Sequence, residues 1–82
     1  MKFAFVLVKC ELGRLEEVAN AVMEIDGVSE VHSITGPFDL LVKLYAASYE
    51  DFGDLIPDRL QKVRGVRETE TLLAFRAFKA SA

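Results

Sequence analysis

The sequence predicts an α+β fold of ferredoxin-like βαββαβ topology. Four antiparallel strands would form one sheet, with two helices covering one face. Two observations carry this expectation. The first is an internal repeat. Leu7-Val8-Lys9 recurs as Leu41-Val42-Lys43, and Ile25-Asp26-Gly27-Val28-Ser29-Glu30 recurs loosely as Val63-Arg64-Gly65-Val66-Arg67-Glu68. The second is that each half reads strand, helix, glycine turn, strand. The first pair of segments is offset by 34 positions and the second by 38. The second half therefore carries a four-residue insertion between its first strand and its Gly-Val.

The elements follow in order. Residues 2–9 are apolar with β-branched and aromatic members, a strand signal. Residues 13–25 place Leu15, Val18, Ala19, Val22 and Ile25 at helical spacing. Gly27 ends that helix or makes the turn after it. Residues 28–34 alternate as a half-buried strand does. Thr35-Gly36-Pro37 is a turn, and residues 38–46 form the third strand. Ser48-x-x-Asp51 resembles a capping box with Asp in place of Glu. Phe52, Leu55, Ile56, Leu60 and Val63 then continue at helical spacing. Pro57 conflicts with a regular helix, because it removes a hydrogen bond and crowds the carbonyl of Gly53. The sequence leaves two solutions, a kink or a helix that begins at Asp54. Gly65 ends the helix, and residues 66–77 form the fourth strand.

An antiparallel sheet with one wet face alternates apolar and polar residues. Three strands here do not. Phe3 through Val8 are all apolar, Leu40, Leu41 and Val42 are consecutive, and Leu72 to Phe75 are apolar throughout. The face away from the helices is therefore expected to be largely apolar. Such patches mark interfaces, and a sheet-to-sheet homodimer is the simplest cover. A cavity between sheets that holds an apolar ligand is the alternative.

Size and composition agree. The 82 residues make one domain, 1–82. So small a core is often helped by disulfides, metals or oligomerisation. One cysteine, Cys10, and one histidine, His32, exclude an internal disulfide and disfavour structural zinc, which leaves oligomerisation. No cofactor or metal is expected. The net charge is −3, with the ten Lys and Arg scattered. That argues against a nucleic-acid footprint, which clusters its cations, and against an anionic membrane surface. No apolar run approaches the roughly 18 residues of a membrane span. The short apolar N-terminus lacks the length and cleavage site of a signal peptide. A cytoplasmic location is expected.

Ile34-Thr35-Gly36-Pro37-Phe38-Asp39 is the most unusual stretch. Gly36 lets the backbone approach a ligand closely, and exposed loop N–H groups can hold a carboxylate. Asp39 could hold an ammonium group, so the turn would suit an amino-acid zwitterion. From the residues alone, a plain Gly-Pro turn in which Asp39 bonds its own backbone is the simpler reading. Alternation places Thr69 and Thr71 on one face of the fourth strand and Glu68 and Glu70 on the other. From the residues alone, a solvated strand edge is the simpler reading of that segment. His32 could titrate near neutrality, but no neighbour makes it a catalytic base. Cys10 packs more simply as a small hydrophobe than it reacts.

These motifs resemble a known family. Phe5-Val6-Leu7-Val8-Lys9, Gly27-Val28-x-Glu30-Val31-His32, Thr35-Gly36-x-Phe38-Asp39 followed by Leu40-Leu41-Val42-Lys43, and Gly65-Val66-x-x-Thr69-x-Thr71-Leu72 are similar to the effector-binding (RAM) domain of the Lrp/AsnC transcription regulators. The resemblance covers nearly the whole chain. It implies sheet-to-sheet dimers that assemble into rings, commonly octamers, with amino-acid effectors bound between dimers. It implies that the turn Thr35, Gly36, Pro37, Phe38 and Asp39 contributes, as a whole, backbone donors and the acidic group, and that a neighbouring subunit supplies the segment around Thr69 and Thr71. Two departures stand out. Full-length members carry a helix-turn-helix domain, whereas this chain starts on its first strand. The expectation is therefore a stand-alone module that does not bind DNA directly and acts through a full-length Lrp/AsnC regulator. Pro37 also removes one N–H from the turn. The competing expectation is a small dimeric α+β-barrel enzyme, such as a cofactor-free monooxygenase or isomerase, for which Tyr45, Tyr49 and His32 are the candidates.

Overall fold

The computed structural model describes residues 1–81. The strands are β1 (Lys2–Cys10), β2 (Val28–Ser33), β3 (Leu40–Ala46) and β4 (Val66–Ala74). The helices are α1 (Leu15–Met23) and α2 (Tyr49–Leu55), the second running into a π-helical turn, Ile56–Leu60. All strand pairs are antiparallel, in the order β2-β3-β1-β4. This is the ferredoxin-like arrangement that the repeat predicts.

The repeat is visible in the backbone bonding. The Gly27 carbonyl accepts from the Tyr45 N–H at 2.8 Å, and the Gly65 carbonyl accepts from the Glu11 N–H at 2.7 Å. The two glycines lie 38 positions apart and their two partners 34, the same two offsets as in the sequence. Each half thus closes its glycine turn on the central strand of the other half. Both glycines have positive φ, 97° and 98°. A Cβ on Gly27 would stand 2.5 Å from the Tyr45 carbonyl oxygen, and one on Gly65 2.7 Å from Val18 Cγ2. Conformation and close approach both require glycine at these two turns.

The core lies between sheet and helices. Ala4, Val6, Val8 and Cys10 alternate inward from β1, and Leu40, Val42, Leu44 and Ala46 from β3. Val18 and Val22 of α1, Phe52 of α2, and Ile56 and Leu60 of the π-helical turn close over them. The other residues of the central strands, Phe3, Phe5, Leu7, Leu41 and Tyr45, face away from the helices and are only half-buried.

The expected Ser48–Asp51 capping box forms, with the Ser48 N–H donating to Asp51 Oδ2 at 3.1 Å, and of the two solutions left open the helix does not take the start at Asp54: α2 begins at Tyr49. Three details differ from expectation. Pro57 is absorbed by widening the helix. The Gln61 N–H reaches back five residues to the Ile56 carbonyl at 2.8 Å, so the spacing opens where proline lacks its donor. Strand β2 does not alternate strictly. A register shift between Val28 and Glu30 turns both Val28 and Val31 toward the helices, as a bulge does. Strand β4 ends at Ala74 rather than residue 77, because Ala74 already pairs with Phe3, near the start of β1.

Candidate functional site

The face away from the helices is apolar at its centre and charged around it. Phe3, Phe5, Leu7, Leu41 and Tyr45 share it with Leu72, which is 49% exposed. In register with them lie Lys9, Lys43, Glu30, His32, Glu68 and Glu70. The expectation of a largely apolar face therefore holds for the centre only. The Lys43 ammonium caps the aromatic cluster, 5.2 Å from the Phe3 ring, 5.4 Å from Tyr45 and 5.9 Å from Phe5. Cation–π attraction of this kind lets a lysine sit on an aromatic face. His32 Nε2 lies 2.9 Å from Glu30 Oε1. That hydrogen bond, with Lys43 beyond it, holds the Glu30 carboxyl below the ordinary carboxylate value.

The connection from β2 to β3 carries the main sequence-predicted site. Thr35, Gly36 and Pro37 are exposed; Phe38 and Asp39 are half-buried. Gly36 has φ 119°, with open space where a Cβ would stand. Asp39 does not bond its own backbone, as a plain turn would have it. Its Oδ2 accepts from the Cys10 N–H across the sheet at 2.8 Å. Its own N–H donates to the Val8 carbonyl, and its carbonyl accepts from the Ile34 N–H, both at 2.9 Å. Three bonds thus fix Asp39 between β1 and β2. Among the described residues, the N–H groups of Thr35, Gly36 and Phe38 find no acceptor. A carboxylate and free backbone donors therefore share one short turn.

Two residues at this turn escaped the sequence reading. Lys9 Nζ donates to the Pro37 carbonyl at 3.2 Å and brings a cation to the turn. Cys10 supplies the N–H that anchors Asp39. The signal was the register. Once Val8 pairs with Leu40, residues 9 and 39 become neighbours. The Cys10 side chain itself is buried core. Burial pushes its thiol up, and the nearby Asp39 carboxylate adds to the effect. The thiol therefore stays protonated and inert.

Thr69 and Thr71 do face the same side, the helix side, in register with Val8 and Val6. Thr69 Oγ1 accepts from Gln61 Nε2 at 2.8 Å. Thr71 is exposed and lines an apolar groove of about 440 Å³ between α2 and β4, with Tyr49, Phe52, Gly53, Ile56, Pro57 and Leu73. The turn and the Thr69–Thr71 segment are separated by β1 and do not converge within one subunit. Nor do the three candidates for catalysis gather. His32 and Tyr45 stand on the outer face, and Tyr49 on the helix side donates its hydroxyl to the Ala74 carbonyl at 2.7 Å. Among the described residues no group of three or more His, Cys, Asp or Glu could hold a metal ion, and no helix is long and apolar enough to cross a membrane.

The family model described as the Lrp/AsnC ligand binding domain matches residues 3–82. The chain belongs to the Lrp/AsnC ligand-binding-domain family. Among curated relatives, an HTH-type transcriptional regulator of Pyrococcus furiosus is 35% identical over 79 residues, covering 93% of this chain and 53% of the relative. One of Pyrococcus horikoshii is 42% identical over 59 residues, 72% of this chain and 39% of the relative. The chain thus spans about half the length of these relatives or less. Among solved structures, TTHA0845 of Thermus thermophilus superposes with a TM-score of 0.89 at 38% identity, covering 98% of this chain and all of that one. A transcriptional regulator of Neisseria meningitidis in complex with L-Met shares the fold, with a TM-score of 0.85 at 21% identity, over 98% of this chain and 53% of that one.

Proposed function

We propose that this chain is an amino-acid-binding regulatory module rather than an enzyme. It works in the cytoplasm and modulates transcription together with a full-length Lrp/AsnC regulator. One observation carries the reading. The Thr35–Asp39 turn presents a fixed carboxylate beside free N–H donors and an exposed, positive-φ glycine. Asp39 keeps one oxygen for an ammonium group while Cys10 holds the other. The donors of Thr35, Gly36 and Phe38, with the Lys9 ammonium nearby, suit a carboxylate. Pro37 leaves the turn one donor short. The complex of the Neisseria meningitidis regulator with L-Met supports the ligand class.

The apolar centre of the outer face serves a dimer formed sheet to sheet, and dimers join into a ring that brings the Thr69–Thr71 segment of one subunit toward the turn of another.

A thermal-shift screen of the twenty amino acids, combined with light scattering, tests the reading. An effector at 100 times its Kd adds about 2.7 kcal/mol to the stability of the form it binds. The expected result is a clear rise in melting temperature for a subset of amino acids and a particle mass several times that of the chain. A flat screen across all twenty would overturn the proposal.

A further inference from the structure

Charge is segregated between helix α2 and the chain that follows β4. Residues 49–58 contain Glu50, Asp51, Asp54 and Asp58 and no cation. Residues 75–82 contain Arg76 and Lys79 and no acid. The second stretch is also a three-residue repeat, Phe75-Arg76-Ala77 followed by Phe78-Lys79-Ala80. In an extended chain with three residues per turn, such a repeat lines its rings along one side and its cations along another.

The segment has no seat in its own subunit. Residues 75–81 form neither helix nor strand, and Phe75 and Phe78 are 82% and 81% exposed. Arg76 rests on the Phe78 ring of the same segment, 4.4 Å from its centroid. Among the described residues neither Arg76 nor Lys79 forms an ion pair. Phe75 meets the Tyr49 ring edge-on, with centroids 5.6 Å apart, at one end of the α2–β4 groove. Beyond that point the chain turns away. Lys79 adds, after His32 and Lys43, to the field that lowers the Glu30 carboxyl, so it lies toward β2. The sheet-to-sheet contact proposed above would cover that face. Folding back into its own groove requires a reversal, and residues 75–82 contain no Gly, Pro, Asn or Asp to make one.

The groove fits the segment. Tyr49, Phe52, Ile56 and Leu73 wall a space of about 440 Å³, suited to aromatic rings. Gly53 keeps it open. Glycine is a poor helix former, and neither a positive φ nor a close contact requires it there. From Tyr49 to Pro57 the groove follows the helix for about 12 Å. Two rings of the repeat stand about 9 Å apart. Glu50 and Asp54 follow Tyr49 and Gly53 by one position and are exposed, which puts carboxylates on the solvent side of the groove.

We propose that residues 75–80 of one copy dock in the α2–β4 groove of a second copy. Phe75 and Phe78 enter the groove, and Arg76 and Lys79 meet Glu50 and Asp54 beside it. The inference goes beyond the function proposed above, since this contact needs no effector.

The test is light scattering of the intact protein at micromolar concentration, without amino acids. Phe75→Ser combined with Phe78→Ser should lower the particle mass at least twofold. Gly53→Leu, which fills the groove from the other side, should do the same. Leucine is a better helix former than glycine and meets open space at position 53, so that variant folds. Arg76→Glu with Lys79→Glu should also lower the mass, and adding Glu50→Lys with Asp54→Lys should restore it. Disulfide trapping locates the contact. The native Cys10 is buried, so a Thr71→Cys chain mixed with an Ala77→Cys chain should give a covalent pair of the two under mild oxidation. If the phenylalanine variant loses mass and Gly53→Leu does not, the segment docks elsewhere and the inference fails. If the disulfide forms only within a single chain carrying both substitutions, the segment folds back on itself and the inference fails. An unchanged mass in every variant overturns it as well, and leaves the amino-acid reading to its own screen.

Discussion

Asp39 carries two separable roles, and two substitutions separate them. One oxygen anchors the turn through the Cys10 N–H at 2.8 Å. In the proposed function, the carboxylate charge binds the ammonium group of the effector. Asp39→Ala removes both and leaves the part-buried Cys10 N–H without an acceptor. A hydrogen bond to a charged group contributes roughly 1.5–3 kcal/mol. Asp39 is half-buried, so the lower end applies, about 1.5 kcal/mol. At about 4–8 °C per kcal/mol for a domain of this size, the melting temperature should fall by about 6–12 °C. Asp39→Asn keeps an acceptor for Cys10 and loses only the charge. It should fall by about half as much, because neutral bonds are roughly half as strong. Both variants should lose the ligand-induced rise completely. The assay is thermal shift at one fixed protein concentration, with and without amino acids, since assembly itself makes melting concentration-dependent. If Asn destabilises as much as Ala, the Cys10 bond is not what holds the turn. If Asn keeps the ligand-induced rise, Asp39 does not bind the ammonium group.

Other perturbations test the frame around the site. Gly27→Ala forces a Cβ against the Tyr45 carbonyl at a backbone φ of 97°; it should cost about 2–3 kcal/mol, read as a lower midpoint in urea unfolding with an unchanged slope. Leu72→Glu places a charge on the outer face beside Phe5; it should lower the particle mass in light scattering at least twofold at micromolar concentration, and an unchanged mass would remove that face from the interface. The Glu30 carboxyl is held below its ordinary value of 4.5, chiefly by His32. Its contribution to stability is therefore present above that value and lost as the pH falls through the depressed folded one. In His32→Ala the Glu30 carboxyl, followed by NMR titration, should move back up.

The fold was legible because its main determinants are local and repeated. Lys9 and Lys43, and Gly27 and Gly65, could be aligned in the sequence before any contact was known. The features that were not legible depend on register. Strict alternation puts Val28 and Val31 on opposite faces of β2. Only pairing with β3 shows the bulge that turns both inward. Pro57 reads as a helix breaker because the sequence does not show how the next turn bonds. The Gln61–Ile56 bond resolves the conflict by widening the helix rather than ending it. At the site, Thr35–Asp39 stood out by composition alone, whereas its support from Lys9 and Cys10 comes from a strand 29 positions away from Asp39 in the case of Cys10.

The site features fall where the two halves of the repeat part company. Each half exchanges a glycine carbonyl with the other's central strand, and this near-symmetry builds the sheet and the core. The four-residue insertion lies in the second half, between Lys43 and Val63. It falls across α2 and the π-helical turn, the region that contains Gly53 and Pro57. Helix α1, its counterpart, carries no glycine or proline within Leu15–Met23 and sends Val18 and Val22 into the core. The Thr35–Asp39 turn joins the two halves and so has no counterpart in either. Symmetric positions are constrained twice, by their own packing and by the exchange that ties the halves together. A turn or a groove can change there only at the expense of the core. The junction and the lengthened second helix escape that double constraint, so a turn or a groove there can change while the sheet beneath stays fixed.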